Sequence, residues 1–218
     1  MDEPWMMEPC TECGMKPGDG EGVNLRMSET VDRFFCVRCA KAAMACRSFK
    51  SYFEYPEFAP LTMAQGDGRV HRFEFSTHRE GTGLEIQMWE VDKRGEGYEL
   101  AILGDFDADP LELFRSLKAR MRRALGRRHL EVRDGALAIR PEGVVRALID
   151  RDDESEEDLP VLVIDGRPVT WEDFGRMLLR HEGWQFKLEM YDLSEEIPDD
   201  SLDRRRSLMS RTENKRLN

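Results

Sequence analysis

Four cysteines carry the clearest chemistry in this 218-residue chain: Cys10-x2-Cys13, then 22 residues, then Cys36-x2-Cys39. Two residues between paired cysteines let one tight turn direct both sulfurs at a single ion. Gly14 follows Cys13 and relieves the steric cost of unusual backbone angles in such a turn. Four thiolates satisfy the tetrahedral preference of Zn2+ and leave no position open for water. The expected site, Cys10, Cys13, Cys36 and Cys39, is therefore structural rather than catalytic. The alternative open to the same residues is a set of reduced thiols or a redox pair. A fifth cysteine, Cys46, lies about two helical turns beyond Cys39 and reads as a small apolar residue, with a spare ligand as the alternative.

Other groups offer weaker chemistry. Asp105, Asp107 and Asp109 alternate as loop carboxylates, a pattern that suits a divalent cation. The capping role of Asp109 explains that residue without one. The acidic run 150–158 fails as a calcium loop because Ser155 stands where glycine is required. His71, His78, His129 and His181 fit no metal or protease motif, and no nucleophile elbow or phosphate loop is present. No catalytic residue is assigned. Two basic clusters stand out. One lies on a helix and its exit (Arg115, Lys118, Arg120, Arg122, Arg123, Arg127, Arg128) and the other in the tail (Arg204, Arg205, Arg206, Arg211, Lys215, Arg216). Both suit an acidic protein or nucleic acid, and the helical one also suits a solvated face. Between Cys10 and Cys39 four basic residues meet five acidic ones, a poor balance for a finger that reads nucleic acid. Trp171, Phe174, Trp184 and Phe186 fall at helical and strand spacings that predict core positions, with a partner groove as the alternative.

The elements that must position these residues follow from spacing. Between the cysteine pairs, Val23–Met27 and Thr30–Phe35 predict a hairpin. An Ala-rich helix begins at the second pair and extends toward Phe53, with its dipole favouring thiolate charge. Alternation in 70–76, 84–91 and 98–103 predicts an antiparallel meander. Asp109, Pro110 and Glu112 mark a helix start, and Leu111, Phe114, Leu117 and Met121 form its buried stripe as far as Gly126. A hairpin is expected about Asp134-Gly135. A strand over Val161–Ile164 turns at Asp165-Gly166, and a second capped helix runs from Thr170 to Gly183. Trp184, Phe186, Leu188 and Met190 then alternate as a half-buried strand.

Pro56, Pro60 and Gly66-Asp67-Gly68 suggest the main boundary. The expected organisation is a metal module over 1–55, an α+β domain over 67–198 and a basic flexible tail over 199–218. The fold class is α+β: a small treble-clef-like zinc module, then an antiparallel-sheet domain with two main helices. A net charge of -11 disfavours generic nucleic-acid binding. The acidic N-terminus lacks signal-peptide character and no run reaches membrane-spanning length, so a cytoplasmic protein without membrane contact is expected. There, cysteines favour metal over disulfides.

The segment CTECGMKPGDG…RFFCVRCAKAA resembles the zinc modules at the start of bacterial protein-arginine-kinase activators. That resemblance covers about thirty residues. It implies a structural zinc ion and a role in protein–protein contact. Residues 165–196 are similar to C-terminal segments of uncharacterised bacterial proteins, which imply no activity. The resulting expectation is a non-catalytic zinc-binding adaptor or regulatory protein with an unidentified protein partner. The alternative is a nucleic-acid accessory protein using the helix 115–128 and the tail. An enzyme with a site assembled in space is the remaining reading.

Overall fold

Leu25 and Phe58 lie far apart in sequence, yet they pair as an isolated antiparallel bridge and are almost fully buried. Their meeting explains how the N-terminal elements join the rest of the chain. In the computed structural model the described residues are 8–18, 22–28, 30–45, 55–80, 83–91, 96–151 and 159–198. Strands β1 (Gly22–Ser28) and β2 (Val31–Cys36) form an antiparallel hairpin, and helix α1 (Val37–Ala45) starts directly after it. Strands β3 (Leu61–Ala64), β4 (Val70–Glu80), β5 (Gly83–Glu90) and β6 (Glu99–Asp105) follow in chain order as one antiparallel sheet. Helix α2 (Pro110–Leu125) packs on β5 and β6. Beyond it come a hairpin of β7 (Leu130–Arg133) and β8 (Ala136–Ile139), and a three-stranded sheet. That sheet has the order β11 (Arg167–Thr170), β10 (Pro160–Ile164), β9 (Leu148–Arg151). Helix α3 (Trp171–Leu179) closes the series. The fold is α+β, with a treble-clef-like knuckle, hairpin and helix leading into antiparallel sheet.

The packing draws different groups from the expected units. One core unites Cys10, Leu25, Phe35 and Ala40 with Phe58, Phe73, Ile86 and the α2 stripe. A second gathers Leu130, Ile139, Leu162, Ile164, Val169 and Met177. The expected cut between residues 55 and 67 falls in a hairpin, because Leu61–Ala64 pairs with Val70–Phe73. Gly66-Asp67-Gly68 is the turn of that hairpin, with Gln65 N–H on the Arg69 carbonyl at 2.7 Å. Asp150 and Arg151, expected in an acidic linker, are strand residues facing Val161 and Pro160.

Local signals behave as their chemistry dictates. Asp134 and Gly135 both take positive φ, 54° and 78°, as a two-residue hairpin turn requires. Thr170 caps α3 by accepting the Asp173 N–H at 3.2 Å. The helix ends at Leu179, and Gly183 turns the chain three residues past its cap at Arg180. Asp109 accepts the Leu111 N–H at 2.9 Å and holds Lys41 of α1 at 2.7 Å. Burial alone would raise the Asp109 carboxyl; Lys41 and the helix N–H groups more than offset this and hold it below the usual carboxylate range. A carboxyl lowered in the folded state contributes stability above its unfolded pKa and loses it as pH falls through the folded value. Asp109→Ala should therefore cost about 1 kcal/mol at neutral pH. Denaturant titrations of both proteins should converge as acidification protonates Asp109. A gap unchanged by acid would contradict this origin.

The largest departure concerns 184–190. The segment has neither helix nor strand and joins no sheet of the described residues. Trp184, Phe186, Leu188 and Met190 are 68–80% exposed. Alternation set a face, but no neighbouring element lies against it. Of the aromatic group expected in the core, Trp171, Trp184 and Phe186 are exposed, whereas Phe174 is half-buried and packs against the second core. Cys46, the helix end toward Phe53, most of the acidic run (152–158) and the tail with Arg204, Arg205 and Arg206 lie outside the described residues.

Candidate metal centre

The backbone of residues 10–15 is wound so that Cys10 and Cys13 share a side. Gly14 N–H donates to the Cys10 carbonyl and Cys10 N–H to that of Met15, both at 2.8 Å. Gly14 has φ 69°, and no atom lies within 4 Å of where a Cβ would stand. The residue is there for its backbone angle, not for space. Thr11 ties this knuckle to the hairpin, since its N–H and hydroxyl both donate to the Phe34 carbonyl, at 2.8 and 2.9 Å. Cys36 is the last residue of β2 and Cys39 the third of α1. The four sulfurs lie within 4.8 Å of one another, and Cys13 and Cys36 are 3.8 Å apart. Cys10, Cys36 and Cys39 are buried and Cys13 is exposed; none is in a disulfide. Such a set can hold one metal ion.

Electrostatics in the site are uneven. Burial raises the Cys10 thiol, but the N–H groups of Cys36, Cys13 and Glu12 aimed at its sulfur more than offset this and bring it to about 6. Burial and the surrounding sulfurs push Cys39 up to about 12. Packed this closely, four sulfurs cannot all be thiolates unless a cation sits among them. Arg38, exposed on α1, hydrogen-bonds to Cys13 and Cys39, and these sulfurs hold its guanidinium above the usual arginine range.

The other candidates are dispersed. Among the described residues no other group of His, Cys, Asp or Glu is gathered as a possible metal site. Asp105 and Asp107 are exposed, while Asp109 serves as the α2 cap. On α2, Arg115 and Arg122 are exposed. Lys118 reaches the Gly22 carbonyl, and Arg123 pairs with Glu196. Arg120 donates to the Ser194 carbonyl at 2.7 Å, and Arg128 pairs with Asp67. Much of the basic cluster therefore faces acidic and carbonyl groups of its own chain. Among the described residues no helix is long and apolar enough to cross a membrane.

Sequence reading missed one buried polar group. His71 Nδ1 lies 2.9 Å from Glu90 Oε1, and its Nε2 lies 3.2 Å from Gln65 Oε1. Gln65 in turn donates to the Tyr98 hydroxyl at 3.2 Å. His71, Glu90 and Gln65 are at most 5% exposed. A signal existed: His71 shares a strand face with Phe73, and Glu90 with Ile86 and Met88, so alternation already points both inward. Their pairing depends on the β4–β5 register, which spacing alone does not reveal.

Residues 54–126 match a domain of unknown function (DUF7686), and residues 129–195 match a second domain of unknown function (DUF7713). The first range covers β3 to α2 and the second covers β7 to the segment beyond α3. The four cysteines precede both. No curated protein and no solved structure matches the chain.

Proposed function

We propose that Cys10, Cys13, Cys36 and Cys39 bind one structural Zn2+ ion, and that the chain is a non-catalytic adaptor or regulatory protein acting through protein contacts. The observation that carries this is the closed cysteine set. Tetrahedral Zn2+ with sulfur ligands at about 2.3 Å places those sulfurs roughly 3.8 Å apart. The Cys13–Cys36 separation of 3.8 Å fits. Four protein ligands leave no coordination position for a substrate, so the ion would act as a cross-link between knuckle, hairpin and helix. Reduced thiols at this site fit a reducing compartment such as the cytoplasm.

A groove of about 400 Å3 beside the module supports a binding role. Pro9 and Thr11 of the knuckle, Asn24 and Phe34 of the hairpin and Pro60 line it, with Asp32 and Arg33 for polar contacts. The resemblance to kinase-activator zinc modules points the same way. Nucleic-acid binding through Arg115, Lys118, Arg122 and Arg123 has weaker support, because the helix lends part of its charge to Glu196.

Elemental analysis of the purified chain should return about one zinc per chain; less than about half an equivalent would count against the metal. For the contact itself, affinity capture from native lysate should be run with the intact chain and with Arg33→Glu, an exposed groove change. A partner held by the first and lost with the second supports the reading. Equal recovery by both, or recovery by neither, opposes it.

A further inference from the structure

We propose that the open edge of β3 takes an extended acidic peptide as an added strand, with Lys118 and Arg122 of α2 drawing its carboxylates. This partner class presupposes the adaptor role proposed above, but its residues are not those of the groove around Arg33. The register of β4 shows that the edge is open. Val91 N–H bonds the Arg72 carbonyl at 2.8 Å, so the main-chain groups of Arg72 face β5. In an antiparallel ladder the N–H and C=O of one residue point the same way, and successive residues alternate. Phe73 and His71 therefore face β3 and bond Leu61 and Met63, their partners in register. Thr62 and Ala64 are left with their N–H and C=O groups turned away from β4. β3 ends its sheet, both residues are exposed, and no described residue bonds these groups. Such an edge is a template for another strand, and main-chain bonding of this kind selects an extended peptide.

Charge beside the edge selects which peptide. Up to Ala59 the chain bonds β1, through Ala59 N–H on the Asn24 carbonyl at 2.9 Å. Pro60 has no N–H, and from Leu61 the chain pairs with β4 instead. Where the pairing changes, a slot of about 150 Å3 is lined by Gly22, Thr62, Phe114, Lys118 and Arg122 among others. Lys118 Nζ lies 3.4 Å from the Gly22 carbonyl, and Arg122 is exposed. Among the described residues lining the slot, these two are cations and none is an anion. In a chain of net charge -11 this is a local reversal of sign. Met63 points from β3 into the core that holds Phe114 of α2. Alternate residues of an added strand lie on that same face. A peptide acidic at every second residue thus turns its carboxylates toward α2 while its main chain bonds Thr62 and Ala64.

The probe is a fluorescein-labelled peptide of alternating Thr and Glu, about eight residues long, a usual strand length. Its anisotropy should rise on titration with the full chain up to about 0.5 mM, while an alternating Thr and Lys peptide should not bind. Amide exchange at Thr62 and Ala64, read by NMR, should slow when the acidic peptide is added. Thr62→Pro removes an outward N–H, a change an edge strand tolerates, and should weaken binding about tenfold. Arg122→Glu, on the exposed helix surface, should weaken the acidic peptide similarly and admit the lysine peptide. Circular dichroism of both variants should match the unaltered chain. No binding of the acidic peptide overturns the proposal, and a partner still captured through Arg33 would then leave the adaptor reading standing. Binding that both variants leave unchanged overturns it too. So does an oligothymidylate of similar length that binds as tightly and is indifferent to Thr62→Pro, which would assign the cations to nucleic acid.

Discussion

Replacing Cys36 by Ser should strip the chain of the proposed Zn2+ ion and loosen its first core together. Cys36 is 6% exposed, stands opposite Gly22 at the end of the hairpin and connects β2 directly to α1. Its sulfur is within reach of the other three. Serine is nearly isosteric but a poor zinc ligand, so the knuckle, the hairpin and the helix would lose their common tie. Structural zinc contributes about 10–16 kcal/mol in small zinc peptides, comparable to the entire stability of a typical domain of about 5–15 kcal/mol. Because the cysteines share their core with α2 and the four-stranded sheet, the loss should spread beyond the module. Zinc content should fall well below one per chain, and the denaturant midpoint should drop sharply. Chelation of the unaltered protein should lower the midpoint in the same direction. Full metal retention with an unchanged midpoint would refute the assignment.

Phe58→Ala should be the most damaging change away from the cysteines. Phe58 is 2% exposed and stacks on Phe114 of α2, with ring centroids 4.1 Å apart and planes 12° from parallel. It also meets Phe75 of β4 edge-on at 6.3 Å and bridges to Leu25 of β1. One residue thus joins the cysteine hairpin through its backbone and the sheet and helix through its ring. Removing it should cost about 3–5 kcal/mol, from lost burial and from the cavity left behind. Urea unfolding should show a lower midpoint at an unchanged slope. Val132→Ala, at a residue 70% exposed, should stay within about 0.5 kcal/mol and serves as the comparison. A Phe58 effect equally small would mean that the hairpin is not held through this residue.

The two predictions differ in how much of their basis was legible beforehand. The cluster of four cysteines could be read from their spacing and from Gly14. Phe58 gave no such signal, because it sits between two prolines in a stretch that looks like a linker. Its importance comes from partners on three separate elements. Glu90 and His71 are similar: alternation points each inward, but only the register of β4 on β5 makes each the other's partner.

By itself the sequence determined the local features: the cysteine knuckle, the meander, the Asp134-Gly135 turn, and the caps at Asp109 and Thr170. Each is decided within a few residues by backbone sterics, by a side chain reaching a nearby N–H, or by the period of apolar positions. Tertiary structure alone decided that the cysteine module and the four-stranded sheet share one core. It also left Trp184, Phe186, Leu188 and Met190 facing outward. Alternation specifies that a strand has an apolar face, but burial requires a second surface to cover it. Whether such a surface exists depends on segments distant in the chain, or on another chain, and a local pattern carries no information about either.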